Sequence, residues 1–332
     1  MPTGDGAATP VAPVRPGARW RFASVRPDNL IVYIGFLAIL AFFAITLGDR
    51  GFLTPENFAN IARQTAMVSI MAFGMTFVLS SGEIDLSIGS VVALSALVVA
   101  VLLRADLPIV VAVAGSLAAG LLVGLANGLL TTRLRIPSFL VTLGTMTIVV
   151  GAARVLTDLE PVPVTDRTFA FLFGSGTIGP VPVLLIWTAA ALVIFHVLLR
   201  RTPFGRQVLA TGGNRAAARY SGIRTDRIKI AALMLGAATA ALAGMLYAGR
   251  LQGARYTLGE DDLMTVIAAT VIGGTSLFGG RGSIVGALVG SLLVGMLNNG
   301  LLLMGLSVSE QLIARGAIII AAVALSLREG AP

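Results

Sequence analysis

Three polar segments interrupt a chain that is otherwise apolar, and they carry its candidate chemistry. The first is SGEIDLSIGS at 81–90, where Glu83 and Asp85 stand two residues apart among serines and glycines. Two readings are open. The segment is a short aqueous turn in which Asp85 or Ser87 caps the next helix, or it is a break inside the membrane whose polar end lines a pathway. Ionised side chains at membrane depth are costly and mark function by default. The second segment is GGTSLFGGRGS at 273–283. Glycine-rich loops cradle phosphates, but a phosphate loop needs GK[ST] after its glycines. Here Arg281 follows Gly280, and Lys229 is the chain's one lysine, so a tight inter-helix turn is the better reading. The third is TPFGRQVLATGGNRAAARYSGI at 202–223, inside a basic island at 200–229. Asn214 is placed to cap a short alanine-rich helix at 215–220, which Gly222 ends. Small side chains on such a helix suit a groove in another protein, and the flanking arginines steer toward an acidic rim. A solvated basic loop is the plainer alternative.

The remaining polar groups are sparse. Asn127, Asn298 and Asn299 lie within apolar runs, where amides usually hydrogen-bond between helices and in some cases meet the hydroxyls of a solute. One histidine and no cysteine cannot build a metal cluster, and no nucleophile–base pair is visible. The formal charge of +8 does not indicate nucleic acid, because the arginines gather in the tail and in particular loops, as in membrane proteins.

The elements that must position these groups are membrane helices. Only 12% of residues are charged and mean hydropathy is +0.91, against about 25% charged in soluble domains. Apolar windows of about the length that crosses a bilayer occur at 30–48, 64–81, 88–103, 108–132, 138–153, 181–199, 230–249, 264–278, 283–304 and 310–327. This predicts an all-α, polytopic bundle of about ten spans. Residues 1–29 read as a disordered cytoplasmic tail and 30–328 as the membrane domain. Placing both termini in the cytoplasm puts Arg133, Arg135, the 200–229 island and Arg281 inside, and Asp158, Glu160, Asp166, Glu260, Asp261 and Asp262 outside. Arg315, in the last window, is expected to snorkel to the outer surface. The segment 157–179 is the longest outside loop and reads as a small cap. Gly120, Gly124 and Gly128 recur every four residues, as do Gly286 and Gly290, giving faces for close helix packing.

Taken together and in order, EIDLSIGS, the 202–223 segment and IAATVIGGTSLFGGRGSIVGALVGSLLVGMLNNGL resemble the permease subunit of ribose-type bacterial ABC sugar importers. The resemblance runs from about residue 57 to 325. It implies a type II-like importer permease in the bacterial inner membrane that translocates a monosaccharide or related polyol and is not itself an enzyme. It binds no cofactor; ATP is used on a partner. The implied partners are a cytoplasmic ABC ATPase, an extracytoplasmic sugar-binding protein and a second permease chain, identical or not, among membrane lipid. On that resemblance 200–229 is the coupling loop, with Arg206, Asn214, Arg215, Ala217, Arg219 and Gly222 facing the ATPase. Glu83, Asp85, Asn127, Asn298 and Asn299 are candidates for the pathway or its gates. The alternatives are a branched-chain amino-acid ABC permease and a proton-coupled secondary transporter using Glu83 or Asp85.

Overall fold

The computed structural model describes residues 27–307, 309–314 and 316–317. Its helices are α1 (Pro27–Leu47), α2 (Pro55–Ser80), α3 (Ile88–Arg104), α4 (Ile109–Arg133), α5 (Ser138–Thr157), α6 (Arg167–Ala170), α7 (Val183–Arg201), α8 (Pro203–Gly213), α9 (Arg215–Tyr220), α10 (Thr225–Leu251), α11 (Asp262–Ile272) and α12 (Ile284–Leu303). Seven of them, α1, α2, α4, α5, α7, α10 and α12, are long and apolar enough to cross a membrane. Two more are apolar but shorter: α3 has 17 residues and α11 has 11. The window at 264–278 overestimated α11, because Gly273 and Gly274 end the helix, and Gly274 takes a left-handed φ of 89°. The last expected span, 310–327, lies largely outside the described residues, as do Arg315 and residues 1–26 of the expected tail 1–29.

The bundle is organised around α2. Thr54 caps its start, accepting from the Asn57 backbone N–H at 3.3 Å, and Pro55 fits the first turn, where an N–H would be unsatisfied anyway. From Thr65 to Ser80 every residue is buried. A helix apolar all round, such as this one, belongs inside other helices. Around it stand α10, α12, α7 and α11, and α10 also packs on α3 and α4. On the outside of the bundle α4, α5 and α7 expose Leu122, Ile148, Val193 and Ile194, the side chains a lipid environment accepts.

The α4–α10 contact uses the glycine face seen in the sequence. A Cβ on Gly124 would lie 2.8 Å from Met234 Cα, and one on Gly128 the same distance from Ile230 Cα. Side chains there would force the two backbones apart.

The segment 157–179, read above as a small cap, folds against the bundle. Val162–Pro163 pairs antiparallel with Gly253–Ala254 beyond α10. Asp166 caps α6 through a 2.8 Å bond from the Phe169 N–H, and Phe169, Phe173 and Trp187 stack in series.

Gly124→Val should lower the apparent melting temperature of the detergent-purified protein, at a cost of about 1–3 kcal/mol for overpacking. Gly144→Ala, with nothing within 4 Å of the new Cβ, should leave it unchanged. Size-exclusion profiles after graded heating measure both.

Candidate functional site

At one end of the bundle the three polar segments meet. The expected helix at 215–220 forms as α9, with Asn214 as its cap: its Oδ1 accepts from the Ala217 N–H at 2.9 Å. Gly222 takes a left-handed φ of 83° just beyond. Before it runs α8, which the pattern of glycines concealed. Its start was nevertheless written in Thr202-Pro203: Thr202 accepts from the Gly205 N–H at 3.3 Å, and proline occupies the first turn. Together α8 and α9 expose Arg206, Asn214, Arg215, Ala217 and Arg219. Tyr220 projects almost wholly free, at 94% exposure, and Phe278 of the α11–α12 turn is 79% exposed at the same end. Sequence reasoning missed both aromatics, because a single exposed ring leaves no periodic signal.

Behind this face the backbones interlock. The Gly280 N–H donates to Ser80 O at the end of α2, at 3.0 Å. A Cβ on Gly212 would lie 2.0 Å from that same carbonyl, and one on Gly279 would lie 2.7 Å from Gly212 O. The end of α8 is therefore wedged between the end of α2 and the glycine-rich turn. The segment read as an inter-helix turn is one, and it is also the seat of α8.

The SGEIDLS segment is a buried break between α2 and α3. Glu83 is 4% exposed, and Asp85 and Ser87 are fully enclosed. Lys229, the lone lysine, donates to Glu83 Oε1 from the first turns of α10 and is itself buried. Asp85 Oδ1 accepts from the Ser87 backbone N–H at 2.8 Å and from its hydroxyl at 2.6 Å. Asn127 of α4 donates to Ser87 Oγ at 2.9 Å. Ser138 and Thr142 of α5 accept from the N–H groups of Ile84 and Leu86, each at 3.0 Å. Ser87 is the residue at the cap position of α3, but its hydroxyl makes no capping bond. Asp85 and Asn127 thus meet at Ser87, with Asp85 Oδ2 and Asn127 Oδ1 left buried without a hydrogen-bond partner among the described residues, whereas Glu83 and Lys229 border a cavity of about 850 Å³ with Arg133, Arg135, Arg215 and Arg219. Arg215 and Arg219 share Asp226 at 2.8 Å each.

The two remaining asparagines separate. Asn299 makes a reciprocal amide pair with Asn57, at 2.9 and 3.0 Å, tying α12 to α2 near the far end of the bundle. Asn298 faces a second, smaller cavity.

Lys229→Met would strand a buried carboxylate, which costs about 3–5 kcal/mol, and the yield of monodisperse protein should fall accordingly. Adding Glu83→Gln should restore most of it. Equal damage from the single and double variants would contradict a pairing role.

The chain matches the family model described as branched-chain amino acid transport system / permease component over residues 57–323. It is 42% identical over 288 residues to the ribose import permease protein of Bacillus subtilis, covering 86% of this chain and 89% of that one. To the ribose import permease protein of Escherichia coli K12 it is 40% identical, covering 86% and 91%. To the L-arabinose ABC transporter permease protein of Azospirillum brasilense it is 36% identical, covering 94% and 91%. No solved structure matches. With most of its length matched by that model and by these relatives, the chain belongs to the family of branched-chain amino acid transport system permease components, the membrane-spanning subunits of ABC importers.

Proposed function

We propose that this protein carries a monosaccharide across the bacterial inner membrane, driven by an ATPase that grips the α8–α9 element from the cytoplasm. The observation that carries the coupling role is the seat of α8. The surface element is locked by backbone contact to the most buried helix of the bundle, so it cannot move without moving α2 and the α11–α12 turn. An isolated basic loop needs no such seat.

The remaining features follow from that role. ATP binding draws two ATPase subunits together, and each carries a coupling element with it. Two permease chains then rock between outward- and inward-open arrangements, a rigid-body transition between packed states. In this reading the basic end of the bundle faces the cytoplasm, with both termini there and about ten spans between them. An extracytoplasmic binding protein delivers the solute to the opposite end. Tyr220 and Phe278 supply the exposed rings that anchor such interfaces, with Arg206, Asn214, Arg215 and Ala217 around them. Arg219 is already engaged by Asp226 and by Thr225 Oγ1, at 2.8 and 2.9 Å, so it shapes the docking element as well as bordering it. Glu83 is engaged as the partner of Lys229, which ties the break after α2 to the start of α10.

The sugar assignment rests on the relatives, which are named for ribose and L-arabinose and match over most of this chain. The family description favours a second reading, branched-chain amino acids. Competition separates them: excess pentose should suppress uptake of the transported solute, and excess leucine should not. The reverse result would select the amino-acid reading.

Combining Ala217→Trp with Tyr220→Ala should reduce co-purification of the ATPase by about tenfold or more, as loss of an interface anchor does. Transport should fall with it while the permease stays monodisperse. Retention of both would remove α9 from the interface.

A further inference from the structure

Where α4 leaves the membrane and α10 enters it, the chain gathers more positive charge than the fold neutralises. α4 has 25 residues and α10 has 27, about 37 and 40 Å at 1.5 Å per residue, against a hydrocarbon core of about 30 Å. Each helix outruns the hydrocarbon, so Arg133 at the end of α4 and Arg224 and Arg227 at the start of α10 stand at the level of lipid headgroups. The glycine face of α4 brings these ends together. Gly128 meets the Ile230 backbone about a turn away, where a Cβ would lie 2.8 Å from Ile230 Cα.

The three arginines line one open recess of about 420 Å³, and Arg219 of α9 joins them. The lining holds a single carboxylate, Asp226. That carboxylate is already shared, with Arg215 and Arg219 each 2.8 Å from its Oδ1. Arg133, Arg224 and Arg227 are exposed and make no ion pair among the described residues. The recess meets the cavity of about 850 Å³ at Arg133, Arg219 and Asp226, and Arg135 adds a further cation there. Arg135 sits at φ 59°, a left-handed conformation that residues other than glycine seldom take, in the turn that carries it into the same lining as Arg133. Like charges gathered this closely repel, and the low dielectric of the adjoining membrane strengthens the repulsion. An anion in the recess relieves it.

Two features choose the anion. Guanidinium forks match phosphate oxygens in pairs. The flank of the recess is apolar: Ile223 and Ile230 share its lining, and Leu129, Leu130 and Leu134, beside Arg133, are exposed. A soluble phosphate makes no use of such side chains, whereas a phospholipid lays its acyl chains along them. Basic pockets between membrane helices hold anionic headgroups in this manner. We propose that the recess between α4 and α10 binds the phosphate of an anionic phospholipid, with Arg133, Arg224 and Arg227 on its oxygens. This assignment is independent of which solute is carried. The bound lipid ties the end of α4 to the start of α10 and, through Arg219, to α9, so the bilayer itself helps to order that surface helix.

The full chain, purified in a neutral detergent, is titrated with phosphatidylglycerol, phosphatidylcholine or inorganic phosphate. Bound lipid is counted by native mass spectrometry, and stability is read as the apparent melting temperature. Phosphatidylglycerol should bind and raise the melting temperature; the other two should do neither. Arg224→Gln and Arg227→Gln should each weaken phosphatidylglycerol binding about fivefold, and the two together about 25-fold, as the loss of basic residues near a lipid surface does. Both side chains are exposed, so the variants should stay monodisperse, and the single variants decide the matter if the pair aggregates. Arg104→Gln, which removes an exposed cation at the end of α3, should leave the binding unchanged. Undiminished binding in the Arg224 and Arg227 variants, or an equal loss in the Arg104 variant, would overturn the site. Equal stabilisation by inorganic phosphate would overturn the lipid assignment in favour of a soluble anion. Displacement of phosphatidylglycerol by added ATPase would overturn it in favour of the docking interface.

Discussion

In hydrocarbon a peptide group without a hydrogen-bond partner costs several kcal/mol, so a chain that interrupts its helices must answer each freed group from within the protein. This permease interrupts its helices between α2 and α3, and the partnering of Ser81–Ser87 is the arrangement on which the rest depends. Four helices contribute. α2 ends at the segment and α5 stitches it through Ser138 and Thr142. α4 reaches it with Asn127, and α10 with Lys229. Removal of Asn127, Ser138 or Thr142 takes a partner from this enclosed segment. A break so enclosed is a rigid joint rather than a slack one, and it fixes where α3 begins.

The proposed docking element draws its leverage from rigidity at that joint. The end of α8 lies against the last carbonyl of α2 and the backbone of Gly279 and Gly280, with no side chain between them. Flexible side chains would absorb a small displacement; backbone against backbone transmits it. The same seat joins the glycine turn that leads into α12, so one displacement reaches both α2 and α12. Long-range coupling needs elements with discrete packed arrangements. A set of helices meeting at glycine contacts, each too tight for a Cβ, meets that requirement more directly than a chain of exposed ion pairs, which water and salt weaken.

Much of this was legible in the sequence, and the parts that were not share a cause. Local signals survived intact: Asn214 capping α9, Gly222 ending it, the four-residue glycine spacing on α4, and apolar windows for the main helices. The resemblance carried by EIDLSIGS, the 202–223 segment and the IAATVIGG stretch identified the family. What stayed hidden was pairing across distance. Nothing local in Glu83 announces a partner 146 residues away in Lys229, and Asn298 and Asn299 look alike as neighbours although one pairs with Asn57 and the other faces a cavity. Windows of hydropathy also cannot register a half-length helix, because they average the apolar start of the next loop into it; α11 was overextended for that reason.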